Sequence, residues 1–182
     1  MDEIITHDAL NLGQLRYKHL EGLPFIHGSQ DCYELARRMY KDNMNIELAS
    51  YARPDDWWLT EMDLYKDNFQ NEGFLQVEIN NVNEIRILDA ILMGLPDMRS
   101  PMKTVTNHCG IYIGNGKMIH HRLGKLSQTV PYRGVYRNFT TAVIRHKDIP
   151  DLAAKKETSL DLMDLILPHK REALLGALND KH

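Results

Sequence analysis

The chain has 182 residues, 22 basic and 25 acidic side chains and a formal charge of -3, enough length for one well-cored domain with a small appendage. That balance, with no dense basic cluster, argues against nucleic acid as the main partner. No apolar run approaches the roughly 20 residues of a membrane span, so no membrane span is expected.

Met1-Asp2-Glu3-Ile4-Ile5 lacks the basic region and long apolar stretch of a signal peptide, so synthesis in a cytoplasm is the expectation. In such a reducing compartment the two cysteines, Cys32 and Cys109, are not expected to form a structural disulfide. Residues 11–20 predict a short helix, with Leu12, Leu15, Tyr17 and Leu20 apolar and Gly13 weakening it. Gly22 and Pro24 then punctuate the approach to His27-Gly28-Ser29-Gln30-Asp31-Cys32-Tyr33-Glu34-Leu35-Ala36. This stretch reads as a tight loop feeding a helix. Asp31 serves as N-cap and Glu34, three residues on, completes a capping box. Tyr33, Leu35, Ala36, Met39 and Tyr40 supply the apolar stripe, and the helix should stop near Asn43. A thiol at the first helical position feels the positive end of the helix dipole, which favours thiolate and makes Cys32 a candidate nucleophile. On this stretch alone a buried structural cysteine accounts for it equally well.

Residues 50–56 are loop-like. Residues 57–70 predict a second helix, with Trp58, Met62, Tyr65 and Phe69 on one face and Gly73 ending it. The Trp57-Trp58 pair suits packing better than a ligand platform. Short β-type runs follow at 74–79, 89–93, 109–113, 117–121 and 142–145, separated by Gly, Pro and Asn. Helices first and then a meander of strands predict an α+β domain built on a small antiparallel sheet. Past Pro150, Thr158 can cap a helix with Asp161 three residues later. Leu160, Met163, Ile166 and Leu167 line it, and after Pro168 a second piece carries Leu174, Leu175 and Leu178. The expected organisation is a domain over 1–150 and a C-terminal helical appendage over 151–182. The appendage would pack on the domain or on another protein.

Residues 106–121 are the second informative stretch: β-runs on either side of Gly114-Asn115-Gly116, a hairpin signal. A two-residue Asn115-Gly116 turn opposes Gly110 to His121, which puts His121 on one face with His108. A three-residue loop opposes Gly110 to His120 and puts His120 there instead. Local chemistry leaves both registers open. On either one Cys109 points away from His108, which argues against a zinc site, and no Cys-x-x-Cys or His-x-x-x-His spacing supports a metal. No cofactor is expected.

Together, Gly28-Ser29-Gln30-Asp31-Cys32 and His108-Cys109-Gly110-Ile111-Tyr112-Ile113-Gly114, with His120 closing the hairpin, resemble the papain-like NlpC family of cysteine peptidases. Leu88-Asp89-Ala90-Ile91-Leu92-Met93 is similar to that family's Gly-Asp-hydrophobic strand, with Leu88 where Gly is usual. The resemblance covers about residues 20–146. It implies the papain-like NlpC fold, with Cys32 as nucleophile, His108 as the proton-shuttling base and His120 as its orienting partner. Phe25, Asp31 and His121 are then expected at the substrate pocket. Phe25 stands where many members carry a tyrosine seven residues before the cysteine. The implied substrate is a peptidoglycan stem peptide, cut at a bond such as D-γ-glutamyl to a diamino acid. Within the family, Trp57-Trp58, His120-His121 and Ser127 look most like the tail-assembly branch of long-tailed phages. That branch implies manufacture in a bacterial host cytoplasm, a place at the virion tail tip, and tail proteins as partners of the C-terminal helices. A structural assembly factor with a vestigial or once-used site, and a non-hydrolytic thiol acyltransferase, are the alternatives.

Overall fold

The computed structural model describes residues 15–97 and 105–149. Helix α1, Cys32–Met44, starts where the cap chemistry places it: Asp31 has extended backbone and its carboxylate accepts from the Glu34 N–H. The reciprocal half of the box is replaced, because the Glu34 carboxylate takes Arg37 at 2.6 Å. The helix runs past Asn43 and ends at Asn45. That residue adopts the left-handed conformation (φ 54°), and its N–H reaches the Lys41 and Tyr40 carbonyls. Leu35, Ala36, Met39 and Tyr40 form its buried face.

The expected helix over 57–70 is broken. Trp57–Leu59 makes one 3-10 turn, the chain turns extended at Thr60, and helix α2 covers only Leu64–Asn68. Thr60 is the reason. Its hydroxyl donates to the Trp57 carbonyl at 2.6 Å and accepts from the Met62 N–H at 3.1 Å, taking backbone groups that a continuous helix would need. Asp63 then caps the new start, accepting from the Lys66 N–H. The break buries Trp57 rather than Trp58 and leaves Met62 exposed. Residues 15–17 of the expected N-terminal helix are not helical, and Lys18–Leu20 is a 3-10 turn. The rest of that helix, like the expected helices between 158 and 178, lies outside the described residues.

Among the described residues six strands form one antiparallel sheet: β1 Phe74–Val77, β2 Ala90–Met93, β3 His108–Gly114, β4 Lys117–His120, β5 Gln128–Pro131 and β6 Thr140–His146, in the order β1-β6-β2-β3-β4-β5. The order is not a meander, because β6 inserts between β1 and β2, with Gln76 and Ala90 both opposite Ile144. Ala142, Val143 and Ile144 are buried in succession. Such a run, apolar on both faces, belongs inside a sheet and not at its edge. Strand β5 carries no clear alternation and ends on Pro131; proline is tolerated because this is an edge strand. A short helix α3, Val135–Asn138, precedes β6. The face of the sheet bearing Leu92, Ile111, Ile113, Ile119 and Ile144 packs on α1. The other face holds Ile91, Met93, Tyr112, Met118, Tyr132 and Val143. Among the described residues no helix is long and apolar enough to cross a membrane.

Leu88 shows why glycine suits its position. It has φ +70° and is fully buried, and its carbonyl takes the Tyr40 hydroxyl at 2.6 Å. The left-handed region costs an L-residue about 1–2 kcal/mol. Removing a buried leucine side chain costs about 2–5 kcal/mol. Both Leu88→Ala and Leu88→Gly should therefore destabilise, but the glycine variant should be the more stable by about 1 kcal/mol, the reverse of the usual helix or strand order. Urea midpoints of the two variants check the order.

The β3–β4 hairpin combines features of both expected turns. Asn115 and Gly116 have positive φ and Gly114 opposes Lys117, as in a two-residue turn. A bulge between Tyr112 and Gly114 then shifts the register by one, so Gly110 faces His120. His120 therefore shares a face with His108. A Cβ on Gly110 would lie 2.9 Å from Met118 Sδ and 3.3 Å from His120 Cβ, so glycine lets the histidine strand approach.

Candidate active site

The loop before α1 is tied on both sides. Ile26 and Gln30 form a bridge, and Gly28, at φ +77°, donates its N–H to Asp31 Oδ2 at 2.9 Å. Arg53 Nε reaches the same oxygen at 2.8 Å, while its other nitrogens donate to the carbonyls of Gly28 and Tyr51. Asp31 is 2% exposed and its carboxylate is fully engaged by Gly28, Glu34 and Arg53. It lines the cleft, but its charge holds the loop and the helix start. Cys32 is thereby fixed at the first helical position, half-buried, at the edge of an open cleft of about 530 Å³.

The opening of β3 and the end of β4 bring the imidazoles together. His108 Nε2 lies 2.9 Å from His120 Nδ1. His120 is fully buried, and its pKa is lowered to about 3, by burial first and then by His108 and Arg122. It is therefore neutral near pH 7. Among the described residues its Nε2 has no hydrogen-bond partner, and its ring meets Tyr136 edge to face at 4.9 Å. A proton on Nε2 leaves Nδ1 free to accept from His108 Nε2, and that leaves His108 Nδ1 for the thiol.

The Cys32 thiol is held well below its ordinary pKa by the Cys109 thiol, His108 and Tyr65, against desolvation that opposes ionisation. Tyr65 Oη is 3.2 Å from Cys32 Sγ and 3.2 Å from Cys109 Sγ. Cys109 lies on the α1 face, away from His108, and its thiol donates to the Cys32 carbonyl. Phe25, His108 and His121 line the cleft with Cys32. Phe25 packs edge-on against His121 at 5.2 Å. His121 is 1% exposed and burial lowers its pKa. Ser127 has a scaffolding place: its hydroxyl accepts from the Leu23 N–H and donates to the Leu20 carbonyl, pinning the entry to the loop. Among the described residues no three His, Cys, Asp or Glu side chains are grouped to hold a metal ion.

The sequence pattern predicts Tyr65 on a continuous helix and Arg53 in a loop, and gives neither a place at the site. The one local signal for Arg53 is a buried N-cap carboxylate in need of a counter-charge. Tyr65 has no such signal, since its position depends on the break at Thr60.

The comparisons with known proteins agree with this architecture. The NlpC/P60 family matches residues 22–145. Tail tip assembly protein K of Escherichia phage lambda is 33% identical over 129 residues, covering 71% of this chain and 60% of that protein. Its namesake in Escherichia phage N15 is 28% identical over 127 residues, covering 69% and 49%. The chain thus spans between about half and three fifths of the length of these curated relatives. Among solved structures, an NlpC/P60 family protein from Bacillus cereus superposes with a TM-score of 0.50 at 19% identity, over 79% of this chain and 42% of the other. An NLP/P60 family protein from Staphylococcus aureus gives 0.50 at 17%, over 80% and 44%. These two share the fold. With a family match across residues 22–145, an α+β papain-like architecture, and a thiol at a helix start beside a histidine hairpin, the chain belongs to the NlpC/P60 family.

Proposed function

We propose that this protein is a cysteine peptidase that hydrolyses peptidoglycan stem peptides, and that it serves a phage tail tip during passage through the cell wall. The observation that carries the reading is the His108–His120 contact at 2.9 Å beside a thiol of lowered pKa in an open cleft. The Cys32 thiolate attacks the scissile carbonyl carbon, and the C–N bond breaks as His108 delivers a proton to the leaving amine. Water, deprotonated by His108, then cleaves the thioester. Neutral His120 holds the His108 ring and accepts from its Nε2–H in the imidazolium form. The Cys32 backbone N–H, one of the groups a helix start leaves unsatisfied, faces the developing oxyanion. Phe25 and His121 shape the pocket; Asp31 fixes the loop. The tail-tip context rests on the similarity to the two phage K proteins.

The test is incubation with defined muropeptides and mass-spectrometric reading of the products. Cleavage at a D-γ-glutamyl to diamino-acid bond is expected, and Cys32→Ser should lower the rate by about 10⁴-fold or more. Equal hydrolysis by parent and variant overturns the mechanism.

A second reading is favoured by the names of the same relatives and by the segment from 151 onward, which lies beyond the family match. In it the chain is a tail-assembly factor whose site is vestigial or cuts a tail protein once, and whose C-terminal segment, over 158–178, docks on tail proteins. A folded chain inert toward every muropeptide is the outcome that supports it.

A further inference from the structure

The thiol–imidazole pair does not use every group that touches the Cys32 sulfur. Tyr65 Oη stands 3.2 Å from Cys32 Sγ and 3.2 Å from Cys109 Sγ, and Cys109 Sγ stands 3.2 Å from the Cys32 carbonyl oxygen. The three contacts close a ring with few protons to distribute. The Cys109 S–H is committed to the Cys32 carbonyl, so the Cys109 sulfur is left as an acceptor. The phenol therefore has one O–H and two sulfur acceptors at equal distance. An ionised sulfur is much the stronger acceptor.

We propose that Tyr65 is a further catalytic residue of the proposed peptidase: its O–H donates to the Cys32 thiolate, and the Cys109 sulfur is where that O–H turns when Cys32 is acylated. The proposal rests on the reading of Cys32 as nucleophile. A thioester sulfur carries no charge and accepts weakly, so the phenol releases it during acylation. The phenol returns as the thiolate reforms during deacylation, stabilising the sulfur as leaving group.

The surroundings keep the donor in place and protonated. The Tyr65 ring lies against Tyr33 and Trp57, each at 6.2 Å, and lines both the cleft and a small apolar cavity of about 60 Å³. Burial pushes the Tyr65 phenol and the Cys109 thiol well above their ordinary pKa values, so neither ionises in the range where Cys32 does. The other titratable groups around the sulfur are His108 in contact, with His120, His121 and Asp31 farther off.

The test is the pH dependence of Cys32 alkylation by iodoacetamide in the full chain, with Cys32 followed separately from Cys109 by peptide mass spectrometry. Tyr65→Phe keeps the ring and removes only the donor. Its alkylation midpoint should rise by about one pH unit, which lowers the rate below the midpoint about tenfold. Cys109→Ala removes the competing acceptor together with a thiol that helps hold Cys32 down, so its midpoint should rise by well under one unit. An unchanged midpoint in folded Tyr65→Phe overturns the proposal. So does a rise of one unit or more in Cys109→Ala, because it would make the Cys109 S–H the main donor; that variant decides the matter if Tyr65→Phe does not fold. The assay needs no peptide substrate. A midpoint shift in a chain inert toward muropeptides therefore leaves this role standing while the peptidase reading fails.

Discussion

Arg53→Met is expected to destabilise the protein by about 3–5 kcal/mol, because it leaves a buried carboxylate without its cation. The guanidinium and the Asp31 carboxylate are 6% and 3% exposed, with Nε and Oδ2 2.8 Å apart. Arg53 also donates to the carbonyls of Gly28 and Tyr51 and lies over the Tyr33 ring at 5.1 Å. One side chain thus closes the loop, neutralises the helix cap and covers the first turn of α1. A urea unfolding curve gives the loss. The double variant Arg53→Met/Asp31→Asn should be more stable than Arg53→Met alone, since removing both charges avoids the unpaired one. Equal midpoints for the two would show that the cost lies in lost packing and not in the orphaned charge.

His120→Leu should lower kcat/KM on a cleavable muropeptide by about 10²–10⁴-fold, the range seen when the group that orients a catalytic imidazole is lost. It should also change how stability depends on pH. In the fold His120 stays neutral down to about pH 3, whereas in the unfolded chain it takes a proton near its ordinary value of 6.5. Between those values the unfolded state binds more protons, so stability falls as pH drops through this window and is fully present above it. At the bottom of the window the loss from this residue is of order 4 kcal/mol. Burial lowers the pKa of His121 and His146 as well, and they act with the same sign. Urea midpoints of parent and variant from pH 7 to pH 4 should show a shallower decline in His120→Leu. Parallel curves would mean that His120 is not held neutral.

The start of α1 was readable because a cap is local chemistry: Asp31 and Glu34 lie three residues apart and their roles need no tertiary partner. The end of α1 was less so, since the left-handed Asn45 gives no signal beyond being an asparagine. The hairpin could be located but not its register, because one bulge between Tyr112 and Gly114 converts a two-residue turn into the pairing of a longer loop. The family resemblance, not the local pattern, pointed to His120, and the structure brings His120 into contact with His108. The helix expected over 57–70 failed on a single hydroxyl. Thr60 scores as a mild helix breaker, but here its side chain takes backbone groups on both sides and divides the segment. Tyr65 reached the nucleophile only as a result of that division. The Arg53–Asp31 pair spans 22 residues through an irregular loop, where no periodicity exists to reveal it.

The insertion of β6 between β1 and β2 bears on how the chain comes together over time. Strands β2, β3 and β4 follow one another closely and can pair soon after residue 120 has emerged. Strand β1 has no partner until β6 arrives some 60 residues later, and until then one long side of β2 stands open as well. Long-range pairing of this kind is slow, and unpaired strand edges invite association with other chains. The sheet that carries His108 and His120 is therefore closed by the last of the described strands. A chain cut short of Thr140 would hold every site residue named above and none of the seal over the β1–β2 gap.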